Sequence, residues 1–80
     1  GGLDEEAAST LADRVLVRCG AEKYRGDKDY RLLVRLLHGF PLALEVVLAH
    51  LATHTPAQVL ELFRRGEAGV DTQELLNQPR

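Results

Sequence analysis

The 80-residue chain has no tryptophan and no methionine, and only 5% of its residues are aromatic. Its hydrophobic residues are mainly leucine, alanine and valine, and the abundance of leucine and alanine favours helices over strands. A chain of this length buries only about 60% of its unfolded surface on folding, which is enough for one small core. The composition predicts a single helical domain over residues 1–80.

Cysteine and positive charge are also scarce. The one cysteine, Cys19, excludes an internal disulfide, and its helical spacing from Val15 favours a reduced, packed thiol over a reactive one. Ten Lys and Arg residues are outweighed by twelve Asp and Glu residues, for a net charge of -2. Because phosphate backbones are bound by clustered cations and these cations are spread along the chain, we expect no nucleic-acid partner.

No hydrophobic run is long enough for a membrane span. The most apolar stretch, residues 41–52, would extend about 18 Å as a helix, against a hydrocarbon core of roughly 30 Å. The first six residues include three acidic residues and no basic one, whereas a signal peptide begins with basic residues. We therefore expect a cytoplasmic protein with no membrane partner.

Capping residues divide the first half of the chain into two predicted helices. The first covers residues 4–19, starts with a capping aspartate and ends at Gly20. Its apolar residues recur at spacings of three and four, which predicts one buried stripe. The second helix, capped by Asp27 or Asp29, runs to His38.

The third predicted helix is the most apolar part of the chain. Gly39 supplies a left-handed stop to the helix before it, and residues 41–52 begin with a proline at the first helical turn. A helix that is apolar nearly all round is expected at the centre of a bundle. Glu45 within it is predicted either to occupy a narrow exposed strip or to pair with Arg31 or Arg35.

The fourth helix has the clearest start. Thr55, Pro56 and Gln58 match a capping box with proline at the first helical position, and the helix is predicted to run to Arg65 and end at Gly66.

Residues 67–80 are more polar and are predicted to be a looser tail or a short helix boxed by Asp71 and Glu74. The predicted fold is therefore all-α: a compact four-helix bundle over residues 3–66, with a short fifth C-terminal helix as the alternative.

Catalytic and metal chemistry find little support in the residues. No glycine is followed by lysine, so the chain lacks a phosphate-gripping loop. His50 and His54 have the spacing of a two-histidine metal clip, but no third ligand is placed beside them, so we predict no metal site. We also predict no catalytic residue. Local rules account for the glycine and proline around Phe40 but not for Phe40 itself, which must fold back onto the bundle or face a partner.

Residues 36–45, Leu-Leu-His-Gly-Phe-Pro-Leu-Ala-Leu-Glu, resemble the GLPLAL motif of the STAND-type signalling ATPases. This NB-ARC and NACHT-like group includes apoptosome scaffolds and plant and fungal immune receptors, which act in innate immunity or programmed cell death. Residues 3–8 and 55–60 also look like the flanking segments of the helical subdomain in that family. About 65 of the 80 residues align in order.

The resemblance implies that Gly39, Phe40 and Pro41 form a corner that touches ADP or ATP, with Pro41 beside the adenine. Phe40 departs from the family pattern, which more often has leucine there. The P-loop domain, which precedes the helical subdomain in the family, and the winged-helix domain, which follows it, are not in the chain. The resemblance therefore implies partners in a parent protein: those two domains, Mg-ADP or Mg-ATP, and further copies on assembly. The 80 residues alone are expected to have no enzymatic activity and to hold no cofactor.

A second resemblance comes from another class of protein. The Gly39-Phe40 loop, followed by residues 49–51 and 59–63, is similar to the ubiquitin-associated domain, a three-helix bundle whose Gly-Phe loop and last helix bind ubiquitin. The apolar third helix and the long first helix of this chain depart from that pattern. A generic helical protein-interaction domain is the other alternative.

Overall fold

Five α-helices follow one another in the computed structural model, which describes residues 4–77. They are α1 (Glu5–Cys19), α2 (Lys28–Leu37), α3 (Pro41–Leu48), α4 (Pro56–Arg64) and α5 (Thr72–Leu76). Two 3₁₀ turns, Glu22–Tyr24 and Ala49–Ala52, lie between them, and residues 4–77 contain no strand. The all-α prediction is confirmed, including the short fifth helix. The predicted bundle boundary at residue 3 lies outside the described residues.

Side chains cap four of the five helices where they begin. Asp4, Asp27, Thr55 and Asp71 each accept a hydrogen bond from a backbone N–H in the first turn of the helix that follows. The cap of α2 is thus Asp27, and not Asp29, the other residue predicted as a possible cap. The capping box of α4 is complete in both directions. These caps satisfy amides that no carbonyl of the helix can reach.

Glycine ends two of the helices with left-handed backbone. Gly20 has a φ of 67° after α1 and Gly66 a φ of 70° after α4, as predicted. The prediction of a left-handed stop at Gly39 was wrong, because positive φ is absent there. Instead the Phe40 N–H donates to the Leu37 carbonyl oxygen at 2.9 Å, and this tight right-handed turn carries the chain from α2 into α3.

The core lies where α3 packs against α1, α2 and α4. It is built mainly from aliphatic side chains, with one phenylalanine. The largest fully buried residues include Leu16, Leu33, Leu37, Leu44, Leu48 and Phe63. The buried residues of α1 recur at the predicted spacings of three and four. None of the helices formed by residues 4–77 has the length and apolar composition that crossing a bilayer requires.

Helix α3 packs against α1, α2 and α4, as expected of the central helix of a bundle, but it is not enclosed on every side. Leu42 is 77% exposed and Val46 43% exposed, because the neighbouring helices pack on one side of α3 and leave the other side to solvent. The α-helix also ends at Leu48, and its predicted last turn is 3₁₀ in form. Glu45 is half-buried, and no ion pair found within residues 4–77 includes it.

Candidate functional site

The corner between α2 and α3 is fixed by backbone hydrogen bonds on both sides. Phe40 donates its N–H to the α2 end, and its carbonyl oxygen accepts from the Leu44 N–H at 2.9 Å. Pro41 is the first residue of α3, where its missing N–H costs no helical hydrogen bond. Gly39 and Pro41 are both half-buried. The three residues of the predicted corner are therefore held in one defined turn.

Phe40 folds back onto the bundle. Its ring is half-buried and packs against the hydrophobic core, so the structure favours the first of the two roles that the sequence left open for it. The exposed residue next to this corner is Leu42, the second residue of α3.

The start of α3 differs from the starts of α1, α2, α4 and α5, because no side chain caps it. Its N-cap residue is Phe40, whose side chain has no oxygen to accept from the first-turn amides. Within residues 4–77, therefore, no side-chain oxygen caps the positive end of the α3 dipole at this corner.

Pro41 lines a groove of about 520 Å³ between the start of α3 and the first three turns of α1. The other residues that line it are Asp4, Glu6, Ala7, Thr10, Leu11 and Arg14. Pro41, Ala7 and Leu11 give the groove apolar walls. Two carboxylates and one guanidinium give it no excess of positive charge, so it suits an uncharged flat group better than a phosphate.

A larger cleft of about 770 Å³ lies between α1 and α2, and sequence reasoning missed it. Its cationic lining residues are Arg14, Arg25, Arg31 and Arg35, its acidic ones are Glu5, Glu6 and Asp13, and His38 also lines it. The Arg25 Nε lies 2.6 Å from Asp13 Oδ1. Arg31 and Arg35, four residues apart in α2, indicate an exposed basic stripe. No local pattern predicts that acidic residues of α1 lie opposite this stripe.

Tyr30 is the buried residue of this cleft. Its burial raises the pKa of the phenol above the ordinary value of 10.0, and the nearby Asp13 carboxylate raises it further, while Arg25 lowers it. Tyr30 therefore stays protonated at neutral pH and acts as a packed hydroxyl rather than as a base.

The two histidines singled out by spacing lie next to each other in the structure. Their rings are 6.0 Å apart and nearly perpendicular. His50 Nε2 lies 2.9 Å from the Ala68 carbonyl oxygen, and His54 Nδ1 lies 2.8 Å from the Thr53 hydroxyl. Within residues 4–77 no three His, Cys, Asp or Glu side chains are grouped so that they could hold a metal.

Neither family models, nor curated proteins, nor solved structures show a match to this chain.

The outer side of α3 and of the 3₁₀ turn that follows it, here called the outer face, is the second candidate surface. It consists of Leu42, Glu45, Val46, Ala49 and Ala52, of which all but the half-buried Glu45 are exposed. Solvent-facing helix surfaces normally carry several charged residues, whereas this one carries a single carboxylate. It starts one residue after Pro41, so the corner and the outer face form one continuous surface.

Proposed function

We propose that this chain is the helical lid subdomain of a STAND-type nucleotide-switch ATPase, with the corner at residues 39–41 on the adenine side of bound ADP or ATP. The order of residues through 36–45, with similar segments at 3–8 and 55–60, supports this proposal. The observation that carries it is Pro41 itself, which opens the uncapped helix α3 and lines a groove with apolar walls.

The charges around Pro41 suit the adenine ring of a nucleotide better than its phosphates. Asp4 and Glu6 stand in the same groove and would repel a polyphosphate, while Pro41 and Leu11 offer apolar contact to a flat ring. The chain also has no glycine followed by lysine. The phosphates and their Mg ion would therefore be held by a P-loop domain elsewhere in the parent protein, with the base against this chain.

In such a protein the lid would transmit the state of the nucleotide. ADP and ATP would favour different positions of the helical subdomain relative to its P-loop and winged-helix neighbours, and the shift in population would permit assembly. A ligand changes such an equilibrium only through contacts that differ between the two states. The 80 residues alone would have no ATPase activity. We place the parent protein in the cytoplasm.

The test compares two prolines that occupy the same helical position in the full-length protein. Pro41→Ala is expected to accelerate dissociation of a fluorescent ADP by about tenfold, equivalent to ~1.4 kcal/mol of lost contact. Pro56→Ala, at the first position of α4, is the matched control and should leave the rate unchanged. Equal dissociation rates for wild type and Pro41→Ala would exclude the adenine contact.

A second candidate, a helical protein-interaction module, is favoured by the exposed Leu42 and Val46 of the outer face. Its ubiquitin-binding version would use the Gly39-Phe40 loop together with α4. Titrating the isotope-labelled chain with ubiquitin, followed by NMR, separates these possibilities. Chemical-shift changes confined to residues 38–41 and α4 would favour ubiquitin binding over the lid function. An unchanged spectrum would exclude ubiquitin binding.

A further inference from the structure

The connection between α4 and α5, residues 66–71, lies against α3 and the 3₁₀ turn that follows it. Ala68 is fully buried, and its carbonyl oxygen is 2.9 Å from His50 Nε2. Because a carbonyl oxygen only accepts, the imidazole donates this hydrogen bond. The next residue, Gly69, approaches Val46 so closely that a Cβ built on it would stand 2.7 Å from Val46 Cγ1. The side chains of Val46 and His50, about one helical turn apart, thus contact the connection.

The ends of this connection are anchored on α4. The Glu67 N–H donates to the Leu62 carbonyl oxygen at 2.8 Å, and the buried Thr72 hydroxyl donates to the Phe63 carbonyl oxygen. Helix α5 itself makes sparse contacts with the other helices and adds the half-buried Leu75 to the core. Its position therefore depends largely on the connection that precedes it.

We propose that residues 66–71 form a strap over the edge of the outer face of α3. His50 is the latch of this strap, because its hydrogen bond to Ala68 holds the strap in place. The strap and α5 open together without unfolding α1–α4. Few apolar contacts and exposed backbone are the properties of segments that open locally at low free energy. Gly66, Glu67, Gly69 and Asp71 are all exposed, whereas Ala68 is buried and Val70 is half-buried against the core. Opening would uncover Val46 beside Leu42 and enlarge the apolar surface that a partner can contact.

Hydrogen exchange measured on the 80-residue chain tests the latch. In His50→Leu, amides of residues 67–76 are expected to exchange about tenfold faster, while the slow amides of α1–α4 keep their rates. His50→Gln retains an N–H donor and should preserve most of the protection. His54→Leu is the control: its ring bonds to the Thr53 hydroxyl and stands edge-on to His50, but no hydrogen bond found within residues 4–77 joins it to the strap, so residues 67–76 should keep their protection.

Three results would overturn the proposal. One is unchanged exchange at residues 67–76 in His50→Leu. Another is acceleration spread equally over α1–α4, which would mean that the strap does not open as a unit. The third is exchange in His50→Gln as fast as in His50→Leu, which would remove the hydrogen bond as the latch.

Thiol labelling tests whether opening uncovers α3. In a Cys19→Ala background, the thiol of Val46→Cys is expected to react with a maleimide several-fold faster when His50→Leu is added. Leu42→Cys, already 77% exposed in the native side chain, is the control whose rate should not change. Equal labelling of Val46→Cys with and without His50→Leu would show that the strap does not shield the outer face.

Discussion

The backbone of Gly69 rests on the side chain of Val46, 23 residues earlier in the chain, with room for no Cβ between them. A Cβ at residue 69 would stand 2.7 Å from Val46 Cγ1, and the φ of Gly69 is +93°. Glycine is therefore required there twice, once by the backbone angle and once by the close approach to α3. No local pattern in the sequence announces either requirement.

Gly69→Ala should destabilise the fold more than Gly66→Ala. Both positions have positive φ and carry the strain of a left-handed alanine, about 1–2 kcal/mol. Gly66 has no atom within 4 Å of the new methyl group, whereas at Gly69 the methyl would collide with Val46. Overpacking adds about 1–3 kcal/mol at residue 69, measurable by urea denaturation. Equal losses for the two variants would mean that the strap can shift away from α3 at no cost.

A double-mutant cycle isolates the contact. Val46→Ala removes the methyl groups that oppose residue 69, so it should recover part of the loss caused by Gly69→Ala. Residues in contact show coupling energies of about 0.5–3 kcal/mol, whereas independent sites add to within a few tenths. Simple additivity of the two free-energy changes would contradict the close contact.

Leu42 and Leu44 lie two residues apart on α3, and truncating them should change stability by very different amounts. Leu44 is fully buried, so Leu44→Ala is expected to cost about 2–5 kcal/mol of unfolding free energy. Leu42 is 77% exposed, so Leu42→Ala should change stability by less than about 0.5 kcal/mol. Urea denaturation of both variants measures the difference. A large loss for Leu42→Ala would mean that the outer face is already covered, for example by self-association.

Much of the helical framework could be predicted from the sequence, because capping is a local interaction. Asp4, Thr55 and Asp71 each lie immediately before the helix they cap, and the donor amides are within three residues. Gly39 was assigned wrongly for the same local reason. Glycine after a helix is typical of a left-handed stop, and whether a tight right-handed turn replaces it depends on how the next helix packs.

The candidate site was less predictable. The motif around Pro41 singled out the corner as a candidate, but periodicity could not say how much of α3 faces solvent, since Glu45 is the one polar residue of this helix. The packing of α1, α2 and α4 decides that Leu42 is exposed. The contact of His50 with Ala68 was likewise beyond reach, because it joins residues 18 apart through a connection without regular structure.

The capping box of α4 gives a prediction about stability alone. The Thr55 hydroxyl accepts from the Gln58 N–H at 3.2 Å, and the Gln58 side chain accepts from the Thr55 N–H at 2.9 Å. Thr55→Ala should therefore cost about 1 kcal/mol in thermal or urea unfolding. Thr53→Ala, two residues earlier and exposed, is the control and should cost clearly less. Equal losses of stability in the two variants would mean that packing, and not capping, stabilises the start of α4.

The buried Tyr30 makes stability depend on alkaline pH. Burial, helped by Asp13, raises the pKa of its phenol above 10.0 in the folded chain, so between 10.0 and the folded pKa the folded state holds a proton that the unfolded state has lost. This contribution is complete below pH 10.0 and disappears as the pH rises through the folded pKa. Urea denaturation of the wild type across this range should show a fall in stability that is smaller in Tyr30→Phe. Spectroscopic titration of a Tyr24→Phe variant, which leaves Tyr30 as the one tyrosine, locates the ionisation directly. An ionisation at or below pH 10.0, or the same alkaline fall in Tyr30→Phe, would contradict the buried phenol.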